Sequence, residues 1–256
     1  MSERVAIVTG ASRGIGRAVA LELGRRNIAV GCLSRSQDQV AAVAADVEQA
    51  GGRAVAAACD VTRDDQVEAA VKAVVSGLGP IDILVNNAGV ADSAPFLKTD
   101  PAMWERTLDV NLNGTYRMTR AVLSGMLERG WGRVINVASV AARTGFLYTT
   151  AYCASKHAVL GLTRALSLEV AERGVTVNAV CPGWVDTEMT EASIARISGK
   201  TGLPAAEARK RLEAMSPQKR LMTAEEVAFA VAGLVADDAR GINGQAIQVD
   251  GGGFLG

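Results

Sequence analysis

Histidine is almost missing from this chain: His157 is the only one among 256 residues. Cysteine is sparse as well. Cys32, Cys59, Cys153 and Cys181 stand far apart, with no CxxC pair. The clustered Cys and His of a metal site are therefore lacking, so no metal is expected. The thiols read as reduced, buried side chains. Aromatic residues supply only 4% of the chain, while 49% is hydrophobic. The core must then be built from small side chains packed closely. Charge of one sign is not in excess, with 27 Lys plus Arg against 27 Asp plus Glu. With no net field, basic run or aromatic ladder, neither nucleic acid nor an anionic membrane is an expected partner. No apolar stretch approaches the ~18 residues of a membrane-spanning helix. No signal peptide precedes the first strand-like run, so a cytoplasmic location is expected. The sequon Asn113-Gly114-Thr115 carries no meaning in that setting.

Short apolar runs alternate with amphipathic stretches. Val5–Thr9, Ile28–Leu33, Ala54–Cys59, Ile81–Val85, Arg133–Ala138, Val175–Val180 and Ala246–Val249 read as strands. Arg17–Arg26, Gln37–Ala50, Asp65–Leu78, Ala102–Glu128, Ala151–Glu172 and Ala224–Val235 read as helices. Strands with so few charges suit a parallel sheet buried on both faces. The alternation predicts an α/β fold, a doubly wound parallel seven-stranded sheet of the Rossmann type. Right-handed crossovers then align the carboxyl ends of the strands along one rim, where ligands bind. No linker or repeat divides residues 1–256, so a single domain is expected. Asp186–Met222 breaks the rhythm. It is charged, helix-rich and punctuated by Gly199, Gly202, Pro204 and Pro217. A segment of that length in a compact domain reads as a substrate lid, in preference to a surface excursion that merely packs.

After the first strand comes Thr9-Gly10-Ala11-Ser12-Arg13-Gly14-Ile15-Gly16, leading into a helix. Gly10 permits a tight turn. Gly14 and Gly16 let the backbone approach a pyrophosphate, which the free N–H groups of the helix start would hold. A carboxylate at the end of the second strand would bind a ribose 2′-hydroxyl. This chain has Leu33-Ser34-Arg35-Ser36 there, and Asp38 falls on the following helix. Arg35 and Arg13 instead suit a 2′-phosphate, because guanidinium forks match its oxygens. NADP(H) is thus expected over NAD(H). Asp60-Val61, ending the third strand, offers either an acceptor for an adenine amino group or a cap for the next helix. Asn86-Asn87-Ala88-Gly89 ends the fourth strand with residues small enough for a ribose to lie close.

Tyr152 and Lys156 are one helical turn apart and share a face. A nearby ammonium lowers a phenol's pKa, which suits a proton donor to a forming alkoxide. Ser139 follows a strand and so lies at the ligand rim, where its hydroxyl can hold a carbonyl oxygen. Asn111 sits within a predicted helix, where its amide can interrupt helical bonding and hold a water near Lys156. His157 is turned about 100° from Lys156 along the helix and is given no role.

With these motifs in this order, and with Pro182-Gly183 and Val249-Asp250-Gly251-Gly252 completing them, the chain resembles the short-chain dehydrogenase/reductase family along nearly its whole length. The resemblance implies a catalytic tetrad of Asn111, Ser139, Tyr152 and Lys156. Tyr152 would be the general acid, Ser139 would orient the carbonyl, and Lys156 would bind the nicotinamide ribose and lower the Tyr152 pKa. Asn111 would hold the water of a proton relay. Gly10, Ser12, Arg13, Gly14, Ile15, Gly16, Arg35, Asp60, Val61, Asn87, Ala88 and Gly89 would contact the cofactor, with Tyr152 and Lys156. Pro182, Gly183, Val185 and Thr187 would line the nicotinamide, Thr187 near its carboxamide. Cys153 departs mildly from the family's usual Ser or Ala. The resemblance also implies a homotetramer paired through the two long helices and the last strand.

Substrate is less legible. The chain is similar to 3-oxoacyl thioester and polyketide ketoreductases, which implies an acyl-thioester substrate and acyl carrier protein as a partner. Phe146, Leu147, Trp184 and Met189 are candidates for an apolar wall, and Arg129, Arg133 and Arg173 for a basic entrance facing an acidic carrier. A secondary alcohol, sugar or steroid dehydrogenase is the alternative enzyme. A redox sensor that binds NADP without turnover is the alternative outside enzymes, though it would not need the tetrad.

Overall fold

The computed structural model describes residues 4–254. Its strands are β1 (Val5–Thr9), β2 (Ala29–Ser34), β3 (Ala54–Ala58), β4 (Ile83–Asn86), β5 (Gly132–Val137), β6 (Val175–Pro182) and β7 (Ala246–Val249). They form one 7-stranded sheet in the order β3-β2-β1-β4-β5-β6-β7. All neighbouring strands run parallel. Every residue of β1 and of β6 is buried, as the charge-free runs require.

The helices are α1 (Gly14–Arg25), α2 (Gln37–Gln49), α3 (Asp64–Leu78), α4 (Pro101–Leu108), α5 (Gly114–Arg129), α6 (Thr150–Val170), α7 (Glu188–Thr201), α8 (Ala205–Ala214) and α9 (Ala224–Leu234). On one face of the sheet, Val19 and Leu23 of α1 pack with Val43 of α2 and Val227 and Val231 of α9. On the other, Val67 and Val74 of α3 pack with Met118 and Val122 of α5. Each such side chain contributes roughly 1.5–3 kcal/mol by leaving water. The small residues set the layer spacing: a Cβ on Gly31 of β2 would lie 2.6 Å from Val74 Cγ2.

The strand β1 is flanked by β2 on one side and β4 on the other, so the winding reverses between them. A sheet of this kind opens a crevice at that point, beyond the carboxyl ends of the strands.

The sequence predicts one helix over Ala102–Glu128, and the chain divides it in two. Between α4 and α5 lies a π-helical turn, Asp109–Asn113, with Asn111 buried inside it. The cause is tertiary. The Asn111 amide accepts from Val90 N (2.8 Å) and donates to Val90 O (3.0 Å). The widened turn aims that side chain at the loop after β4.

The segment from Asp186 to Met222 carries α7 and α8. Its two stems are stitched together, Asp186 N to Met222 O and Met222 N to Trp184 O, each at 2.8 Å. Ile194, Ala208, Leu212 and Leu221 form its own small core. Arg209 ties its parts, reaching Asp186 and Glu191 at 2.6 Å and Glu213 at 3.2 Å. Among the described residues, no helix is long and apolar enough to cross a membrane.

Candidate active site

The loop from β1 to α1 is held against β4. Asn87 Nδ2 donates to Thr9 O (2.9 Å) and Gly10 O (3.2 Å). Thr9 Oγ1 accepts from Asn87 N (2.9 Å) and Ala88 N (3.0 Å). Thr9 is a positioning residue that the sequence reading missed, although it opens the quoted glycine motif. Gly10 has a φ of 63°, and a Cβ there would stand 2.9 Å from Ala88 Cα. A Cβ on Gly16 would fall 2.2 Å from Gly10 O. Only glycine fits either place. The first turn of α1 holds no acidic residue and no side-chain cap. Its N–H groups and positive dipole end are left for an anion.

This loop forms one wall of a cleft of about 1340 Å³, above the ~300–1,000 Å³ typical of a single small ligand. Gly10, Ser12, Arg13, Gly14 and Ile15 line it, as do Arg35, Asp60 and Val61. Asn87, Ala88 and Gly89 continue the lining from β4, and Thr187 faces them from the segment that starts α7. The two sides nearly touch, since a Cβ on Gly14 would sit 3.2 Å from Thr187 Cγ2. Arg13 and Arg35 are both exposed on its lining. Asp60 Oδ1 accepts from Thr62 N (3.0 Å) and Oγ1 (2.8 Å). It therefore pins the turn before α3, whose N-cap position is Arg63. Partial burial works to raise the Asp60 carboxyl. The Thr62 bonds and the charges of Arg35 and Arg63 outweigh it and hold the carboxyl below its ordinary value.

Gly16, Pro182, Gly183 and Val185 are not on the cleft wall, nor are the four tetrad residues. Gly16 is buried beneath the loop. Pro182 ends β6, and Val185 bridges to Met222. The tetrad lies behind Gly89: a Cβ there would be 3.2 Å from Asn111 Oδ1 and 3.7 Å from Lys156 Nζ.

Ser139 is buried at the end of β5, where its Oγ accepts from Ala141 N (3.1 Å). Its side chain also neighbours the Tyr152 hydroxyl and acts on the phenol to lower its pKa. Lys156, one turn on, donates to Val137 O (2.8 Å), with Nζ 5.8 Å from the Tyr152 ring centre. One sequence expectation is corrected here, the lowered phenol. Burial pushes Tyr152 above its ordinary 10, and Ser139 only partly opposes this. Burial also pulls Lys156 down to about 8. In the protein alone, desolvation is the largest influence on both groups. Besides its bonds to Val90, the Asn111 amide donates to Ser155 Oγ (3.0 Å), so both of its N–H donors clamp the Val90 loop to α6. Ser155 was not singled out from the sequence, although it lies inside the Tyr152–Lys156 turn.

Cys181 belongs to this neighbourhood too, with its thiol raised by burial. No spacing signal in the sequence marks it. Cys153 is half-exposed and meets Thr149 Oγ1 at 3.2 Å. His157 is exposed and bonds Cys153 O.

The apolar wall is not one surface. Phe146 and Trp184 line a separate small cavity, Met189 lines the large cleft, and Leu147 is 83% exposed. The basic entrance is overturned. Arg133 is the second residue of β5, is 2% exposed and stacks on Trp131 at 4.4 Å. Arg129 pairs with Asp82 at 3.6 Å, and Arg173 donates to Leu127 O at 3.3 Å. Arg129 and Arg173 precede β5 and β6, and Arg133 is at the start of β5, so all three are at the amino edge of the sheet. The rim is a strand length away, roughly 20 Å at ~3.3 Å per residue.

Comparison with known proteins agrees with this geometry. The chain is 38% identical over 252 residues to the 3-oxoacyl-(acyl-carrier-protein) reductase FabG of Pseudomonas aeruginosa, covering 98% of each. It is 38% identical over 252 residues to an acetoacetyl-CoA reductase of Rhizobium meliloti, covering 98% of this chain and 99% of that one. Among solved structures, a variant of actinorhodin polyketide ketoreductase with NADPH superposes with a TM-score of 0.95. That match has 39% identity and covers 98% of this chain and 97% of the other. The model of the short chain dehydrogenases matches residues 4–197. The chain belongs to the short chain dehydrogenase family.

Proposed function

We propose that the chain is an NADPH-dependent ketoreductase acting on a 3-oxoacyl thioester, with the acyl group on acyl carrier protein or coenzyme A. One observation carries this reading. A phenol neighbours a seryl hydroxyl at the strand rim, one turn from a buried lysine, beside a cleft lined by Arg35 just after the second strand, with no carboxylate at that strand's end. The names of the relatives and of the solved neighbour support the substrate class and the cofactor.

The residues fit the cofactor: the glycine cradle has no room for Cβ atoms, and the acid-free helix start suits a pyrophosphate. Gly10, Ser12, Gly14, Ile15 and Gly16 would form the pyrophosphate cradle, with Arg13 and Arg35 on the 2′-phosphate. Asp60 and Val61 would flank adenine, and Asn87, Ala88 and Gly89 the ribose. Tyr152 and Lys156 would hold the nicotinamide ribose, and Pro182, Gly183, Val185 and Thr187 the ring and carboxamide. When bound, NADPH supplies a hydride.

Tyr152 gives the carbonyl oxygen its proton, and Ser139 fixes that oxygen. The raised phenol stays protonated through neutral pH, as an acid must. The Lys156 charge stabilises the phenolate left behind, and a buried setting strengthens that attraction. Asn111 positions Val90 and, through Ser155, the helix that bears Tyr152. The segment 186–222 acts as the lid. Two-fold pairing through α5 and α6 would cover the exposed Tyr116 and Leu168 in a homotetramer, which light scattering would detect.

The test is oxidation of NADPH and of NADH with an acetoacetyl thioester, set beside secondary alcohols, sugars and steroids in the reverse direction. The thioester with NADPH should be preferred. Tyr152→Phe should lose ~10²–10⁴ in kcat while still binding NADPH. Tight NADPH binding with no turnover on any carbonyl would refute the reading in favour of a sensor.

A further inference from the structure

Among the described residues four arginines line the large cleft: Arg13, Arg35, Arg106 and Arg196. The first two suit the cofactor, and Arg106 pairs with Asp92 at 2.5 Å. Arg196 is left without a task. It lies on α7 and is half-buried. Its Nη1 donates to Ser93 Oγ (3.1 Å) and Ala91 O (3.4 Å), in the loop after β4. Its Nε and Nη2 hold no bond to the described residues and are open to solvent. Asp92, Glu105 and Glu188 also line the cleft, yet no carboxylate of the described residues forms an ion pair with Arg196.

This cation stands one loop away from the tetrad. Ala91 is two residues from Gly89, at most ~7 Å of chain. A Cβ on Gly89 would be 3.7 Å from Lys156 Nζ. Val90, between them, is clamped by Asn111. Further along the loop, Ala94 N donates to Tyr148 O (2.9 Å), just ahead of the helix that bears Tyr152. The cleft, at about 1340 Å³, exceeds what one small ligand fills. A half-buried guanidinium without a carboxylate suits an anion that a ligand brings, and its planar fork matches phosphate oxygens.

We propose that Arg196 determines specificity by binding the phosphate at the far end of the pantetheine arm that carries the acyl thioester. This rests on the ketoreductase reading. Acyl carrier protein and coenzyme A share that phosphate, and in both the arm separates it from the reacting carbonyl. The bonds to Ser93 and Ala91 hold the guanidinium in place. The ion pair then favours thioesters on a phosphorylated arm over ketones that lack one.

The experiment presents one acetoacetyl group on three thiols: pantetheine, coenzyme A and acyl carrier protein. The wild type should favour the coenzyme A thioester over the pantetheine thioester by at least about tenfold in kcat/KM. Arg196→Gln keeps an N–H donor for Ser93 but carries no charge. It should raise KM for the coenzyme A and carrier-protein thioesters at least about tenfold, with kcat and the pantetheine thioester little changed. A wild type indifferent to the phosphate would overturn the proposal without any variant. A loss confined to one carrier would overturn it, because the shared phosphate cannot act on one alone. An equal loss on all three thioesters would do so too, since that marks a structural role for the α7 bonds. NADPH binding weakened by the same factor would place Arg196 on the cofactor and likewise overturn it. Reduction of the pantetheine thioester by the wild type tests the ketoreductase reading separately. If that thioester is not reduced, both fall.

Discussion

Replacing Lys156 with Met should flatten a pH dependence of folding stability. Lys156 is 5% exposed, and burial pulls its pKa from 10.5 to about 8. A lysine whose folded pKa lies below its unfolded one costs stability while it is charged in both states. The full cost is present below about pH 8. It fades as pH climbs from about 8 toward 10.5, because only the unfolded chain holds the proton there. At ~1.36 kcal/mol per pH unit, the gap amounts to about 3 kcal/mol. The Met variant removes that cost but leaves Val137 O without its partner, which costs ~1–3 kcal/mol. The two effects nearly offset at neutral pH, so a single midpoint there is a poor readout and the slope is a good one. Buried thiols act with the opposite sign, Cys181 among them. Cys32 is pushed up to about 12 and Cys59 to about 11, so above about pH 9 the unfolded chain ionises first and stability falls. Subtracting variant from wild type cancels the contributions of Cys32 and Cys59. The assay is urea denaturation of both proteins from about pH 7 to about 9.5. Above pH 8 the wild type should gain on the variant by roughly 1.4 kcal/mol per pH unit. A difference that stays level across that range would refute the claim that Lys156 is held charged against burial.

Gly16→Ala would gain ~1 kcal/mol on an exposed helix. Here its Cβ would lie 2.2 Å from Gly10 O and 2.5 Å from Asn87 Nδ2, so a loss of ~1–3 kcal/mol in thermal or urea unfolding and weaker NADPH binding are expected. A variant as stable and as tight-binding as wild type would dispose of the cradle. Arg35→Glu should raise the KM for NADPH at least about tenfold while changing that for NADH little, given ~1.5–3 kcal/mol for a hydrogen bond to a charged group; equal losses on both cofactors would count against 2′-phosphate recognition. Arg173→Glu should leave kinetics on an acyl-carrier-protein substrate unchanged, because the residue lies at the amino edge of the sheet. A large rise in KM would restore the basic entrance rejected above.

Where chemistry is local, the sequence was legible. Charge-free runs such as Val5–Thr9 found their strands because a doubly covered sheet tolerates no charge. The glycine cradle was readable because its glycines follow a strand and open a helix. The π-helical turn was not. Asp109–Asn113 keeps helical periodicity, and its deformation comes from Val90, 21 residues away. The phenol's direction was also hidden, since spacing places Lys156 near Tyr152 but does not say that Nζ turns to Val137 O. The arginines were a different kind of miss. Arg129 and Arg173 precede strands and Arg133 is the second residue of one, so the sheet rule already assigned them to the edge away from the ligands.

The opposed shifts of Tyr152 and Lys156 have one cause, and they favour one chemical direction. Burial makes the phenol reluctant to lose its proton and the ammonium reluctant to keep its own. The nearby Cys181 thiol is raised by the same burial, so it adds no negative charge at neutral pH. Such a site rests with the proton on the phenol, where a forming alkoxide needs it. Once that proton leaves, the same low dielectric that destabilised Lys156 magnifies its hold on the phenolate. The stability that Lys156 costs the resting protein and its value as the phenolate forms are therefore two readings of one desolvation. Exposing Lys156 to solvent without moving its nitrogen would stabilise the fold and slow the proton transfer together.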